Sequence, residues 1–240
     1  MAWALRCFYF LLATVISAPE LKTVITRLEA RYRSPRTLQA AFLERYTENG
    51  RLVRVEAGTV YFRRPGKMRW EYESPEKNLF LVDGKTAWFY VPADHTVTRV
   101  PAKESSDWRT PLALLAGEMK ISRVCEDVRF AEQEAPESAS NAMVYCRLRG
   151  ANSQSSTRGH ANDEQKLSEA GEAVYFEVVR ASGELVRVVV KNAGGVAIEF
   201  RFSNWLSDPP VEDSFFRFAV PPGVAIVNGE LPSGQNSVKP

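Results

Sequence analysis

The chain has 240 residues, 45% of them hydrophobic and 25% charged, with 31 Lys and Arg against 29 Asp and Glu. That composition is ordinary for a globular protein with room for one large domain. A nearly neutral balance supplies no global field for gathering polyanions, which argues against a nucleic-acid binder at the outset.

Residues 1–18, MAWALRCFYFLLATVISA, stand apart from the rest. Arg6 precedes an uncharged, largely apolar run from Cys7 to Ile16, followed by the small residues Ser17 and Ala18. This is the pattern of a secretory signal peptide, and the run is short for a membrane span. A buried N-terminal strand or helix is the competing reading. Because a polar helical pattern begins right after it, a leader over 1–18 is expected, cut near Ser17 or Ala18. Loss of Arg6 from the 31 cations would leave 30 against 29 anions. Cys7 would leave too, so Cys125 and Cys146 remain as a pair that an oxidising compartment allows to bond. Two buried free thiols are the alternative. Cys7 precedes the apolar run, where a lipid-attachment cysteine would follow it, so a soluble exported protein is expected.

A domain over 19–230 is expected after the leader, with a loose tail at 231–240. Leu21, Val24, Ile25, Leu28 and Tyr32 fall on one stripe of a helix running from Pro19 to Tyr32, which Ser34-Pro35 stops. Period two then takes over. Val60, Phe62 and Arg64 alternate with Thr59, Tyr61 and Arg63, and Met68, Trp70 and Tyr72 alternate with Lys67, Arg69, Glu71 and Glu73. Strands at Leu79–Val82 and Thr86–Val91 flank a tight Asp83-Gly84 turn, and His95–Val100 continues the meander. Thr110 as N-cap, Pro111 at the first helical position and Gly117 at the end define a short helix over Pro111–Ala116. Strands are expected at Lys120–Cys125, Met143–Arg149, Ala173–Arg180, Glu184–Lys191 and Val196–Trp205. The last three turn at Ser182-Gly183 and Gly194-Gly195. Residues 150–172 offer a core almost nothing and read as a disordered surface loop.

Several strands are apolar on both faces. Trp88 and Tyr90 oppose Ala87, Phe89 and Val91, and Val174, Phe176 and Val178 oppose Tyr175 and Val179. Either helices cover the second face, or the sheet curls around a cavity that the leading and inserted helices roof.

Signatures of chemistry are missing. His95 and His160 have no metal-ligand neighbours at i+4, no phosphate-cradling loop precedes a Lys-Ser/Thr, and no serine stands in a G-x-S-x-G elbow. Glu71 and Glu73 share a charged strand face, where solvation is the default. No enzyme and no cofactor is expected. Arg64 is the polar residue that stands out, at the end of the apolar Val60–Phe62 stripe. It either snorkels to water or reaches the roof and bonds its backbone carbonyls with up to five donors.

Five stretches in order now carry a resemblance. They are G-x-V-Y-F-x-R-P at 58–65, M-R-W-E-Y with Ser74-Pro75, VDGKTAWFYVP at 82–92, TPLALLAG at 110–117 and F-x-F-x-x-P-x-G-V from Phe216 to Val224. Together they resemble the LolA family of periplasmic lipoprotein carriers. The resemblance implies a mainly β fold with α: an unclosed antiparallel half-barrel roofed by an N-terminal helix and short inserted helices. It implies an apolar cavity for acyl chains and makes Arg64 the arginine that holds the lid. It also implies acylated lipoproteins as cargo, an inner-membrane ATP-driven exporter as donor and an outer-membrane receptor as acceptor. The expected cavity wall is Val60, Phe62, Met68, Trp70, Tyr72, Leu79, Leu81, Trp88, Tyr90, Leu112, Leu115, Phe176 and Phe200. Two departures are visible: Phe42-Leu43-Glu44 stands where the family often has Phe-x-Gln, and the 150–172 insertion and the cysteine pair are not general family features. A monomeric periplasmic carrier is therefore the leading expectation. An envelope-stress sensor on the same fold and a polysaccharide- or nucleic-acid-binding module are the alternatives. The stretch RRPGKMRWEYESP at 63–75, basic and aromatic by turns, reads as apolar inside and charge-balanced outside, a poor phosphate track.

Overall fold

A computed structural model describes residues 18–104, 112–117, 120–149, 173–192 and 194–229. The expected leader up to Ser17, the helix start at Thr110-Pro111, the 150–172 loop, His160 and the tail at 231–240 lie outside the described residues.

The leading helix α1 runs from Ala18 to Arg33, with Glu20 in its first turn and Arg31 and Arg33 in its last, as the helix dipole favours. Its stripe buries Val24, Leu28 and Tyr32 and packs Leu21 and Ile25 against the same core. Next come β1 (Thr37–Glu48), β2 (Arg51–Arg63), β3 (Lys67–Ser74), β4 (Leu79–Val82), β5 (Thr86–Val91) and β6 (Thr96–Pro101). Two short helices follow, α2 (Ala113–Ala116) and α3 (Ile121–Val124). The chain ends in β7 (Cys125–Phe130), β8 (Asn141–Leu148), β9 (Ala173–Val179), β10 (Leu185–Lys191), β11 (Val196–Ser207) and β12 (Ala225–Asn228).

All twelve strands belong to one sheet in the order β12-β6-β5-β4-β3-β2-β1-β11-β10-β9-β8-β7, with β12 at one edge and β7 at the other. The sheet is therefore open, not closed into a barrel. Neighbours pair antiparallel, apart from β12, which lies parallel to β6. Close approach is built in at two glycines. A Cβ on Gly58 would stand 1.9 Å from the Glu71 carbonyl oxygen of β3, and one on Gly183 would stand 2.5 Å from the Arg27 carbonyl of α1. Gly183 also holds φ at +72°, which suits glycine alone among common residues.

The main core lies on the inner face, against which the helices pack. Val60, Phe62, Met68, Trp70, Tyr72, Phe80, Phe176, Phe200 and Phe202 meet Leu112 and Leu115 there, and α1 joins them. The outer face is covered by irregular segments, a solution not anticipated from the alternation. Past β11 the chain crosses β2–β5: Phe215 sits against Tyr61 at 4.8 Å, and Phe218 lies 5.4 Å from Trp88 and 5.6 Å from Tyr90. Arg63 bonds the Val211 carbonyl at 3.0 Å and Arg69 the Phe215 carbonyl at 3.0 Å, so backbone polar groups are satisfied as the rings pack. At the other end, Ala131 packs on a small cluster of Met143, Tyr175 and Val189, and Glu134, Ala135 and Glu137 bond Arg187 and Glu177 beside it.

Several elements differ from the sequence expectation, β1 and the first half of β2 among them, since no strand was expected before Thr59. The strand expected at Lys120–Cys125 starts as α3 instead, because Ile121 and Cys125, four apart, both turn into the core. β12 was not anticipated: its residues are exposed and show no alternation.

Beneath the 131–140 segment, buried Glu177 accepts from Asn141 Nδ2 at 2.8 Å, the Glu137 N–H at 2.8 Å and Arg187 Nε at 2.7 Å. Burial alone would raise its pKa, but the hydrogen bonds from Asn141, Arg187 and the Glu137 backbone hold it below the usual carboxylate range. A lowered folded-state value gives stability that is present above the unfolded pKa of about 4.3 and is lost as pH falls through the folded value. Thermal melts followed by circular dichroism should thus drop steeply below about pH 4.5 in the wild type. Glu177→Gln should start lower at neutral pH and fall less on acidification.

Candidate functional site

The site is built around the turn between β2 and β3. β2 ends at Arg63, and the chain turns through Arg64, Pro65 and Gly66, with Gly66 at φ +64° and the Arg64–Pro65 peptide cis. Arg64 leaves the strand at this point, so its side chain is free of the β2 alternation. Its Nε donates to the Gly117 carbonyl at 2.6 Å, its Nη1 to the Pro35 carbonyl and its Nη2 to the Tyr32 carbonyl. Its backbone N–H donates to the Arg36 carbonyl at 3.0 Å, and Gly66 N–H to the Ala116 carbonyl at 2.8 Å.

Of these acceptors, the Tyr32 and Ala116 carbonyls are ones a helix end leaves open, and those of Pro35, Arg36 and Gly117 lie just past the helices. The last carbonyls of α1 and α2 have no partner within their own helices, and a planar guanidinium can serve several at once. The cation also faces the negative ends of both helices. Burial pushes the Arg64 pKa down from its usual range, and the charge of Asp208 works against that shift. Asp208 Oδ1 in turn accepts from the N–H groups of Arg36 at 2.7 Å and Thr37 at 3.0 Å, which holds the α1–β1 connection next to Arg64.

Further ties fasten the helices. Glu29 of α1 accepts from the Ile121 N–H at 2.8 Å, linking α1 to α3, and from Arg33 at 3.1 Å. The Tyr32 hydroxyl accepts from the Leu185 N–H at 2.9 Å, and burial pushes its pKa up to about 12. Trp205 packs 4.9 Å from the Tyr32 ring and donates to the Leu185 carbonyl at 2.8 Å. At the sheet edge Cys125 and Cys146 form a disulfide with Cα atoms 5.4 Å apart, joining β7 to β8 right after α3.

Below this roof lie nine of the expected wall residues. Val60, Phe62, Met68, Trp70, Tyr72, Phe176 and Phe200 occupy the inner face of the sheet, and Leu112 and Leu115 meet them from the α2 region. The four others do not belong there. Leu79 and Leu81 pair with Glu71 and Arg69, whereas the inner-facing Trp70 pairs with Phe80. Tyr90 and Trp88 pair with Leu79 and Leu81 in turn. All four therefore face outward, and Trp88 and Tyr90 pack on Phe218. Strand parity decides this, since a side chain one residue along points to the opposite face.

Glu44 was missed as an inner-face residue. It is 1% exposed, lies between Phe42 and Tyr46 on the inner side of β1, and accepts from Tyr72 Oη at 2.8 Å. Arg54 approaches it at 3.8 Å. Its signal in the sequence was the acid standing where Phe-x-Gln was expected. Among the described residues no group of His, Cys, Asp and Glu is arranged to hold a metal ion. His95 sits exposed at the end of a 3-10 turn, away from the roof contacts.

An open antiparallel sheet whose apolar inner face lies under helices tied down by polar side chains is the architecture these residues define. Residues 33–138 match the family model described as outer membrane lipoprotein carrier protein LolA. An outer-membrane lipoprotein carrier protein of Chromobacterium violaceum is 38% identical over 113 residues, which are 47% of this chain and 53% of that one. One from Methylococcus capsulatus is 28% identical over 204 residues, covering 84% of this chain and 86% of that one. The chain thus spans about half of the first relative and most of the second. A crystal structure of a LolA superfamily protein from Nitrosomonas europaea aligns with a TM-score of 0.43 at 9% identity, over 82% of this chain and 97% of that one. Residues 33–138 are thus similar to the LolA family, and a wider stretch of the chain is similar to carriers of that description.

Removing the Arg64 side chain leaves three carbonyls of two segments without their donor, while the strands keep their ladders. Arg64→Leu should therefore speed amide hydrogen exchange in α1 and in residues 112–117 by about tenfold or more, with β1–β3 protection nearly unchanged. Loss of protection throughout the sheet would instead assign Arg64 a global folding role.

Proposed function

We propose that this chain is a soluble periplasmic chaperone that takes the acyl chains of lipoproteins between its sheet and its helical roof. In this reading it accepts cargo from an inner-membrane ATP-driven exporter and passes it to an outer-membrane receptor, acting as a monomer and without a cofactor. The observation that carries the reading is the placement of Arg64. One side chain in one turn fastens α1 and the α2 end over an aromatic-rich apolar face.

Size sets the constraints. Burying a methylene is worth about 0.8 kcal/mol, so a single chain of about 16 carbons carries roughly 12 kcal/mol of gross driving force. Free diffusion of such cargo through water is excluded on that scale, and release needs an acceptor of comparable apolarity. The inner face is packed by its own roof, because Trp70 and Val60 are 0% exposed and Leu112 and Leu115 at most 1%. Cargo must therefore exchange roof contacts for acyl contacts, and bound affinity is the difference between the two. Nine of the expected wall residues are retained in this role; Leu79, Leu81, Trp88 and Tyr90 are not.

Native mass spectrometry of the mature chain with a synthetic triacylated lipopeptide tests the proposal. A one-to-one adduct that survives raised salt is expected, and Arg64→Leu should change its transfer rate to acceptor vesicles at least severalfold. A salt-sensitive complex with DNA and no lipid adduct would overturn the reading.

A further inference from the structure

Trp70 lies at the centre of the inner face and is 0% exposed. Four phenylalanines surround it, with ring centroids 4.8 Å away for Phe42, 5.9 Å for Phe62, 5.2 Å for Phe200 and 6.3 Å for Phe202. Its indole Nε1 is buried and, among the described residues, has no hydrogen-bond acceptor. An indole nitrogen is a donor with no acceptor capacity, so the N–H cannot be satisfied by the neighbouring rings beyond a weak contact with their faces. Leaving such a donor buried and unmade carries a desolvation penalty, and a phenylalanine would fill the same space without it. The neighbouring tyrosine on the same face behaves differently: Tyr72, two residues on, gives its hydroxyl hydrogen to Glu44 at 2.8 Å.

We propose that Trp70 Nε1 is a recognition donor for the ester carbonyl of an acyl chain, and that it makes an ester-linked acyl lipid the ligand class of this face. The inference rests on the lipid-carrying reading above and specifies it. The surroundings select the partner. Around Trp70 the inner face is aromatic hydrocarbon, so an incoming group must bring an acceptor and nothing else that needs satisfying. An ester carbonyl does that. An amide would carry its own N–H into the same apolar ring of phenylalanines, and a carboxylate would carry a charge, each with a desolvation cost. The side chains at Glu44, Tyr72 and Arg54 mark the polar direction along the same face, with Arg54 3.8 Å from Glu44. An acyl ester seated at Trp70 would therefore direct its polar head toward Glu44 and its hydrocarbon toward Phe62 and the roof.

The test compares two diacyl lipopeptides identical but for the linkage, dipalmitoyl glyceryl esters in one and dihexadecyl glyceryl ethers in the other. Both are titrated into the mature full chain by native mass spectrometry, and the indole Nε1–H resonances are followed by NMR. Wild-type protein should bind the ester about fivefold to tenfold more tightly than the ether. One indole proton, assigned to Trp70 by its loss in Trp70→Phe, should shift downfield with the ester and not with the ether. Trp70→Phe, which removes the donor and keeps an aromatic ring, should bind both lipids alike, at the ether's affinity. Equal wild-type affinities, or a preference that survives in Trp70→Phe, would overturn the proposal while leaving the carrier reading intact. Binding of neither lipid would overturn the carrier reading and this proposal with it. The wild-type comparison decides the matter even if the variant folds poorly.

Discussion

Carbonyls from two separate segments converge on the Arg64 guanidinium, and the seating of the helices over the inner face depends on that convergence. The acceptors come from the end of α1, from the α1–β1 connection and from the residue after α2. Each of these segments is weakly held by itself. α2 has four residues, far too short to be stable alone, and α1 has sixteen with an apolar stripe along one side. Packing on the sheet gives both helices their stability, yet packing alone is non-directional. The hydrogen bonds of Arg64 choose one position among those that bury similar area, and do so through a planar group that cannot lose its charge.

The outer face explains why such a roof can be light. A sheet with two apolar faces exposes much hydrocarbon if either cover is incomplete. Here the segment carrying Phe215, Phe216 and Phe218 crosses one half, and residues 131–140 cross the other. Both are tied by arginines that reach from the strands: Arg63 and Arg69 to backbone carbonyls of the first, Arg187 to Glu134 and the Ala135 carbonyl of the second. With the outer face closed independently, the inner roof can be loosened without exposing the other side.

Much of this was legible in the residues, because long strands with strict alternation announce their faces. The turn at Asp83-Gly84 was placed between its two strands because Asp83 Oδ1 caps the N–H groups of Lys85 and Thr86, each at 2.8 Å, a local device encoded in the dipeptide. α1 was legible for the same kind of reason, its stripe being continuous. β1 and the outer half of β2 were obscure. Buried Glu44 interrupts the inner stripe of β1, and Leu52, Val53 and Val55 in β2 remain exposed, so neither strand shows the expected contrast of faces. The wall residues on β4 and β5 were misassigned because both faces of these strands are apolar. There hydrophobicity carries no information about direction, and the pairing register alone does. Arg64 could be singled out as an apolar stripe ending in a cation. Its three acceptors could not, since they lie 29 to 53 residues away in sequence.

The closed inner face also bears on how tightly any ligand can be held. Were the space beneath the helices an empty apolar void, an acyl chain would enter with nearly its full transfer free energy, and handover to another protein would be slow. A face already filled by its own helices removes most of that gain, because each contact made by the ligand replaces one made by Leu112, Leu115 or the α1 stripe. In the carrier reading proposed above, what remains is the difference between two packed states plus the cost of releasing the Arg64 bonds. A few hydrogen bonds, each worth about a kilocalorie per mole, are of the right size to tune such a difference, whereas a covalent or fully hydrophobic closure would be too strong to shift. A turn of three residues thereby sets the scale on which the much larger burial terms are balanced.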